Sequence, residues 1–148
     1  MLRAFHLSAI VFAAALLPAS LNAWPANDPK PHPLEGAWRL IGTLAEDDDV
    51  IVPNREGFEE YKVVADGYFM WTSLQDEKIL GHAGGEARFG RATYAERVDF
   101  AAEPQFEWMV GRRHLFKWKL VDGYWHHTGW MRGAGDPRRV AEVWERIR

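Results

Sequence analysis

From Leu34 onward, apolar and polar residues alternate in short runs separated by turn-forming residues, and nothing as far as Gly133 sustains a helical repeat. A period of two marks a strand with one face buried. The predicted strands are Gly36–Thr43, Phe58–Ala65, Tyr68–Leu74, Ile79–Phe89, Ala92–Phe100, Arg113–Val121, Tyr124–Arg132 and Val140–Ile147. The breaks carry turn chemistry, as in Ala65-Asp66-Gly67, Gln75-Asp76-Glu77-Lys78, Gly90-Arg91 and Val121-Asp122-Gly123. Asp-Gly adopts positive φ at low cost and is typical of tight hairpins. The expected fold is therefore all-β, an eight-stranded antiparallel up-and-down meander. Closing it into a barrel removes both exposed edges.

Alternation also assigns faces. Tyr94, Glu96, Val98 and Phe100 share one face, as do Phe116, Trp118 and Leu120, Phe69 and Trp71, and Trp125 and His127. In the second strand Phe58, Lys62 and Val64 align, which places Lys62 inward or at a rim. Each apolar set is expected to face the interior. Two segments resist the pattern. The acidic run Glu46-Asp47-Asp48-Asp49 reads as a solvated loop over one mouth, because it lacks the alternating ligands and glycine of a calcium loop. Val140, Val143, Trp144 and Ile147 stand at helical spacing, so in isolation that segment fits a helix as well as a strand.

Residues 1–23 read differently. Arg3 precedes an apolar stretch from Leu7 to Leu17, Pro18 breaks it, and Leu21-Asn22-Ala23 ends on a small residue. That is the layout of a signal peptide, and the apolar stretch falls short of the roughly 20 residues that a membrane span needs. Residues 24–33 hold four prolines and read as an extended leader, which leaves 34–148 for the barrel. The expected location is periplasmic or secreted, with no stable membrane span after cleavage.

Composition narrows the chemistry. The chain has 148 residues, a net charge of −3 and no cysteine. The charge argues against nucleic acid as a partner. The missing cysteine excludes disulfides, thiolate metal sites, a cysteine nucleophile and a lipid-anchored cysteine. Eight tryptophans, eight phenylalanines and four tyrosines raise the aromatic content to 14%, so either the core is unusually aromatic or a pocket is lined with rings. Phe69, Trp71, Phe100, Phe116, Trp118 and Trp125 would make such a cup, and Ala83, Gly84 and Gly85 suggest a bend or room beside it.

Among the polar residues expected inside, Glu96 and His127 stand out. A carboxylate among aromatics needs a partner, and His127, Lys62, Tyr94 or an arginine would serve. The pair fits a structural hydrogen-bond network, a ligand-orienting cluster, or general acid–base catalysis with Glu96 and His127 passing a proton. His126 and His127 point to opposite faces and cannot share one interior ion. His82 and His114 are isolated, no serine nucleophile elbow is present, and no cofactor is expected.

The ordered series of motifs resembles a known family. Gly36-Ala37-Trp38 is similar to the G-x-W opening of calycin barrels, the group that contains lipocalins. Tyr61-Lys62-Val63-Val64, Phe69-Met70-Trp71, Gly84-Gly85, Thr93-Tyr94-Ala95-Glu96, Phe116-Lys117-Trp118-Lys119, Trp125-His126-His127-Thr128-Gly129 and Glu142-Val143-Trp144-Glu145-Arg146 resemble small exported bacterial lipocalin-like proteins. The resemblance implies that Val140–Ile147 is the closing strand, with Arg146 packing against Trp38 at the barrel base. It also implies an interior that binds a small hydrophobic or aromatic molecule. Lys62, Phe69, Trp71, Tyr94, Phe116, Trp118 and Trp125 would be its contacts. The alternative is a small cofactor-free isomerase, lyase or hydrolase that uses Glu96 and His127 in the same cup.

Overall fold

The alternating runs form nine strands in the computed structural model, which describes residues 30–45, 50–133 and 135–147. The strands are β1 (Gly36–Leu44), β2 (Ile51–Pro53), β3 (Phe58–Ala65), β4 (Tyr68–Gln75), β5 (Lys78–Phe89), β6 (Thr93–Ala102), β7 (Arg113–Val121), β8 (Tyr124–Met131) and β9 (Arg138–Arg146). All eight expected strands are present with closely similar bounds. The expected signal peptide and the acidic run Glu46–Asp49 lie outside the described residues.

From β3 to β9 each strand pairs antiparallel with the next, and β9 returns to β1, which closes an eight-stranded barrel. One edge of β1 faces β9. Its other edge is shared, by β3 along Gly36–Arg39 and by the short β2 along Gly42–Leu44. That small strand was not expected; it covers a stretch of edge that β3 leaves unpaired. An open edge invites pairing with other chains, and closure removes it.

The last segment is a strand and not a helix. Val140 and Trp144 face the interior, while Ala141 and Val143 join Leu44 in a second cluster against Ile41. Burial on both faces puts apolar residues at adjacent positions, and this imitates a helical period. The register shift between Leu40 and Gly42 turns the end of β1 toward that second cluster.

A second shift corrects an expected face. Gly84 pairs with Phe100 but Gly85 pairs with Val98, so Asp99 is the extra residue of a β-bulge. Beyond it the alternation flips, and Phe100 lies outside, 44% exposed, over Gly84. Gly85 is needed because a side-chain carbon there would stand 2.0 Å from the Arg97 carbonyl oxygen. Leu120, expected inward, is exposed because β7 runs past its last pairing with β6 at Lys117.

The two barrel ends are covered differently. At one, a short 3-10 helix (Pro104–Met109) places Phe106 edge-on against Trp71 with centroids 5.2 Å apart. Phe106 fills the space over Gly81, and Met109 is buried in the core. At the other, the Trp38 indole donates to the Leu34 carbonyl at 2.8 Å, and the Arg146 guanidinium lies 4.1 Å over the Trp38 ring. Arg146 also donates to the Glu35 and Pro33 carbonyls, which ties the start of the chain's folded part to its last strand.

Candidate functional site

Inward positions of β3, β6, β8 and β9 bring Lys62, Glu96, His127 and Glu142 into an aromatic interior. Lys62 of β3 donates to Glu96 of β6 at 2.9 Å, with side chains only 3% and 4% exposed. The ammonium also lies 4.8 Å from the Trp144 ring centroid, 5.4 Å from Trp125 and 5.9 Å from Tyr94. Burial penalises the ammonium. Glu96 and Glu142 outweigh that penalty and hold the Lys62 pKa above its ordinary value. Breaking such a pair by removing one partner costs about 3–5 kcal/mol, because the other charge is left buried.

The second polar contact was not anticipated. His127 Nδ1 lies 2.9 Å from Glu142 Oε2, which also accepts from the Trp144 indole at 3.2 Å. Burial alone would raise the Glu142 pKa, but the bond from His127, its charge and that of Lys62 bring it down to about 2. An ionised carboxylate only accepts, so His127 carries its proton on Nδ1 and turns Nε2 elsewhere. Glu96 and His127 thus take different partners. Glu60, on the same face of β3 as Lys62, forms no hydrogen bond or ion pair among the described residues. Burial first, then Glu142, pushes its pKa up to about 8.

Among the described residues, several buried polar atoms have no hydrogen-bond partner. They include Tyr94 Oη, Trp125 Nε1, His127 Nε2 and His114 Nε2. Three of these side chains pack as one group, with ring centroids 5.3 Å apart for Tyr94 and Trp125, 5.2 Å for Trp125 and His127, and 5.6 Å for Tyr94 and His127. Phe116 stands edge-on to His127 at 4.1 Å. The Tyr94 hydroxyl is pushed well above its ordinary pKa, by burial and then by Glu96, yet has no aligned hydrogen bond. Burial also lowers the His114 pKa.

Lys62, Tyr94, Glu96, Phe116, Trp125 and His127 therefore come together as neighbours in the interior. Phe69 and Trp71 are buried too, but Trp71 packs on Phe106. Trp118 is half-buried, meets His32 edge-on at 5.1 Å and donates to the Gly90 carbonyl. Trp71 and Trp118 thus stand apart from Trp125, whose ring neighbours include Trp38 and Trp144. The polar residues that sequence reasoning missed are Glu60 and Glu142. Alternation from Lys62 and from Trp144 would have placed both inward.

Among the described residues no group of three or more His, Cys, Asp or Glu side chains is arranged to hold a metal ion. No protein-family model matches this chain, and no curated protein does.

Proposed function

We propose that this chain is an exported lipocalin-like protein that binds a small aromatic or hydrophobic molecule in its barrel. The molecule's hydroxyl group would lie among Tyr94, Trp125 and His127, accepting from Tyr94 Oη or Trp125 Nε1 and donating to His127 Nε2. The observation that carries this reading is the group of unpaired polar atoms, Tyr94 Oη, Trp125 Nε1 and His127 Nε2, inside one buried ring cluster. A buried polar atom without a partner costs about 1–3 kcal/mol, and a bound oxygen would recover part of that. Closure of the barrel and the stacking of Arg146 on Trp38 support the lipocalin-like assignment. Phe116 and the rings beside Trp125 supply apolar contacts, Lys62 and Glu96 set the local field, and export follows from the signal-peptide reading of residues 1–23.

The test is calorimetric titration with planar phenols, whose hydroxyl can both accept and donate. Binding is expected, and Tyr94→Phe or His127→Leu should weaken it about tenfold for each hydrogen bond lost. Absence of heat across the panel, or wild-type affinity in both variants, would remove the reading.

A second reading rests on a different observation. His127 is oriented by Glu142 with Nε2 unpaired, and Glu60 stays protonated at neutral pH, the arrangement of a base and an acid in one site. In that case Glu60→Gln or His127→Leu abolishes turnover, and the glutamine variant still binds the guest.

A further inference from the structure

The outer face of β7 and β8 has an arrangement that the interior does not use. Its outward residues are Arg113, Leu115, Lys117 and Lys119 on β7, and His126, Thr128 and Trp130 on β8, with Arg132 following. Lys117 stands opposite Thr128 and Lys119 opposite His126. Leu115 is 62% and Trp130 55% exposed. An open recess of about 1050 Å³ lies along this face.

The charges here are one-sided. Arg113, Lys117, Lys119 and Arg132 form no salt bridge among the described residues, and no outward position of β7 or β8 carries a carboxylate. Elsewhere on the barrel several outward cations are paired, as Arg39 is with Glu145 at 2.7 Å, and Arg97 with Glu86 at 2.9 Å and Asp99 at 3.0 Å. Burial and then Lys119 lower the His126 pKa, so that imidazole is neutral at pH 7 and the fixed charge belongs to the four Lys and Arg side chains. In a chain of net charge −3 this is a segregated cationic face. Stability alone favours opposite charges across strands, as in the Glu86–Arg97 pair.

Chemistry identifies the surface that complements it. Cations around an exposed indole and an aliphatic side chain match the boundary of an anionic bilayer. There the ammonium and guanidinium groups meet headgroup phosphates, an indole settles at headgroup depth, and a leucine reaches the acyl chains. A nucleic acid would engage the cations but offer Leu115 no hydrocarbon to enter. We propose that the β7–β8 face docks this protein on anionic lipid surfaces, with Trp130 and Leu115 as apolar anchors among Arg113, Lys117, Lys119 and Arg132. The proposal does not depend on ligand binding in the interior.

Co-sedimentation with vesicles tests it. One set is pure phosphatidylcholine and the other equal parts phosphatidylcholine and phosphatidylglycerol. The full chain is used throughout, so the apolar segment 1–23 is the same in every sample. Binding should favour the anionic vesicles and fall as salt is added. Tryptophan emission should shift to the blue on binding, and Trp130→Phe should lose that shift. The double variant Lys117→Glu/Lys119→Glu should partition about tenfold less or weaker still. Arg88→Glu, the same reversal on the outer face of β5, should leave partitioning unchanged. Circular dichroism checks that each variant folds, and Lys117→Gln/Lys119→Gln replaces the double reversal if it does not. Equal binding to both vesicle types overturns the proposal. So does binding indifferent to the β7 lysines, or salt-sensitive binding to single-stranded DNA without binding to vesicles.

Discussion

Glu60 and Glu142 are facing carboxyls with opposite tendencies, and their difference governs how stability follows pH. The Glu142 pKa is about 2 in the fold against an ordinary 4.5, so its contribution is complete above pH 4.5 and is lost as pH falls toward 2. The Glu60 pKa is about 8 in the fold, so its contribution is complete below pH 4.5 and is lost as pH rises to about 8. Urea-unfolding midpoints measured across pH should show both declines. Glu60→Gln should flatten the decline on the alkaline side, and Glu142→Gln the decline in acid. An unchanged alkaline slope in Glu60→Gln would show that Glu60 is ionised in the fold. Alternation in the sequence placed Lys62, Glu96 and His127 inside, and structure adds their partners. Glu96 takes Lys62 from β3 and not His127, because pairing is chosen by proximity across the closed barrel and not by strand parity.

At the scale of elements, turn chemistry was the most legible signal. Asp66-Gly67 and Asp122-Gly123 both adopt positive φ, as their composition demands. The helical spacing in β9 misled because a strand buried on both faces carries apolar residues at neighbouring positions. Phe100 misled for another reason. A bulge is a relation between two strands, and the residues of β6 alone do not announce it. The bulge yields a test. In Gly85→Ala the new carbon would meet the Arg97 carbonyl oxygen at 2.0 Å and the Asp99 nitrogen at 2.7 Å, both backbone atoms with little freedom to yield. Overpacking of this kind costs about 1–3 kcal/mol. Thermal and urea unfolding should both report a loss of that size, and wild-type stability in the variant would mean that the bulge relaxes freely.

For the whole molecule, the decisive contact joins the first strand to the last. The β1–β9 ladder pairs Trp38 with Arg146, and the guanidinium covers the indole while holding the Glu35 and Pro33 carbonyls. Charged hydrogen bonds contribute about 1.5–3 kcal/mol each, and the ring contact about 0.5–1 kcal/mol at an exposed site. Arg146→Met should keep the apolar cover but lose both bonds, and so lower unfolding stability by about 3 kcal/mol or more. Near-ultraviolet circular dichroism should still report ordered tryptophans. A variant as stable as the parent would show that the ladder closes the barrel without its arginine.

What the sequence by itself determined is local: which residues alternate, where the chain turns, how many long strands there are, and which side chains face inward where no bulge or strand end intervenes. These follow from the period of a strand and the φ preferences of Asp and Gly, which act within a few residues. The tertiary structure alone decided the rest. It set three shifts of register, added β2 along a shared edge, let Phe106 cover one end, and divided the expected aromatic cup. Trp71 went to Phe106, Trp118 to His32, and Trp125 to Trp38 and Trp144. The physical reason is closure. Once the sheet returns on itself, stagger between strands determines which inward side chains meet, and that stagger belongs to all the strands together.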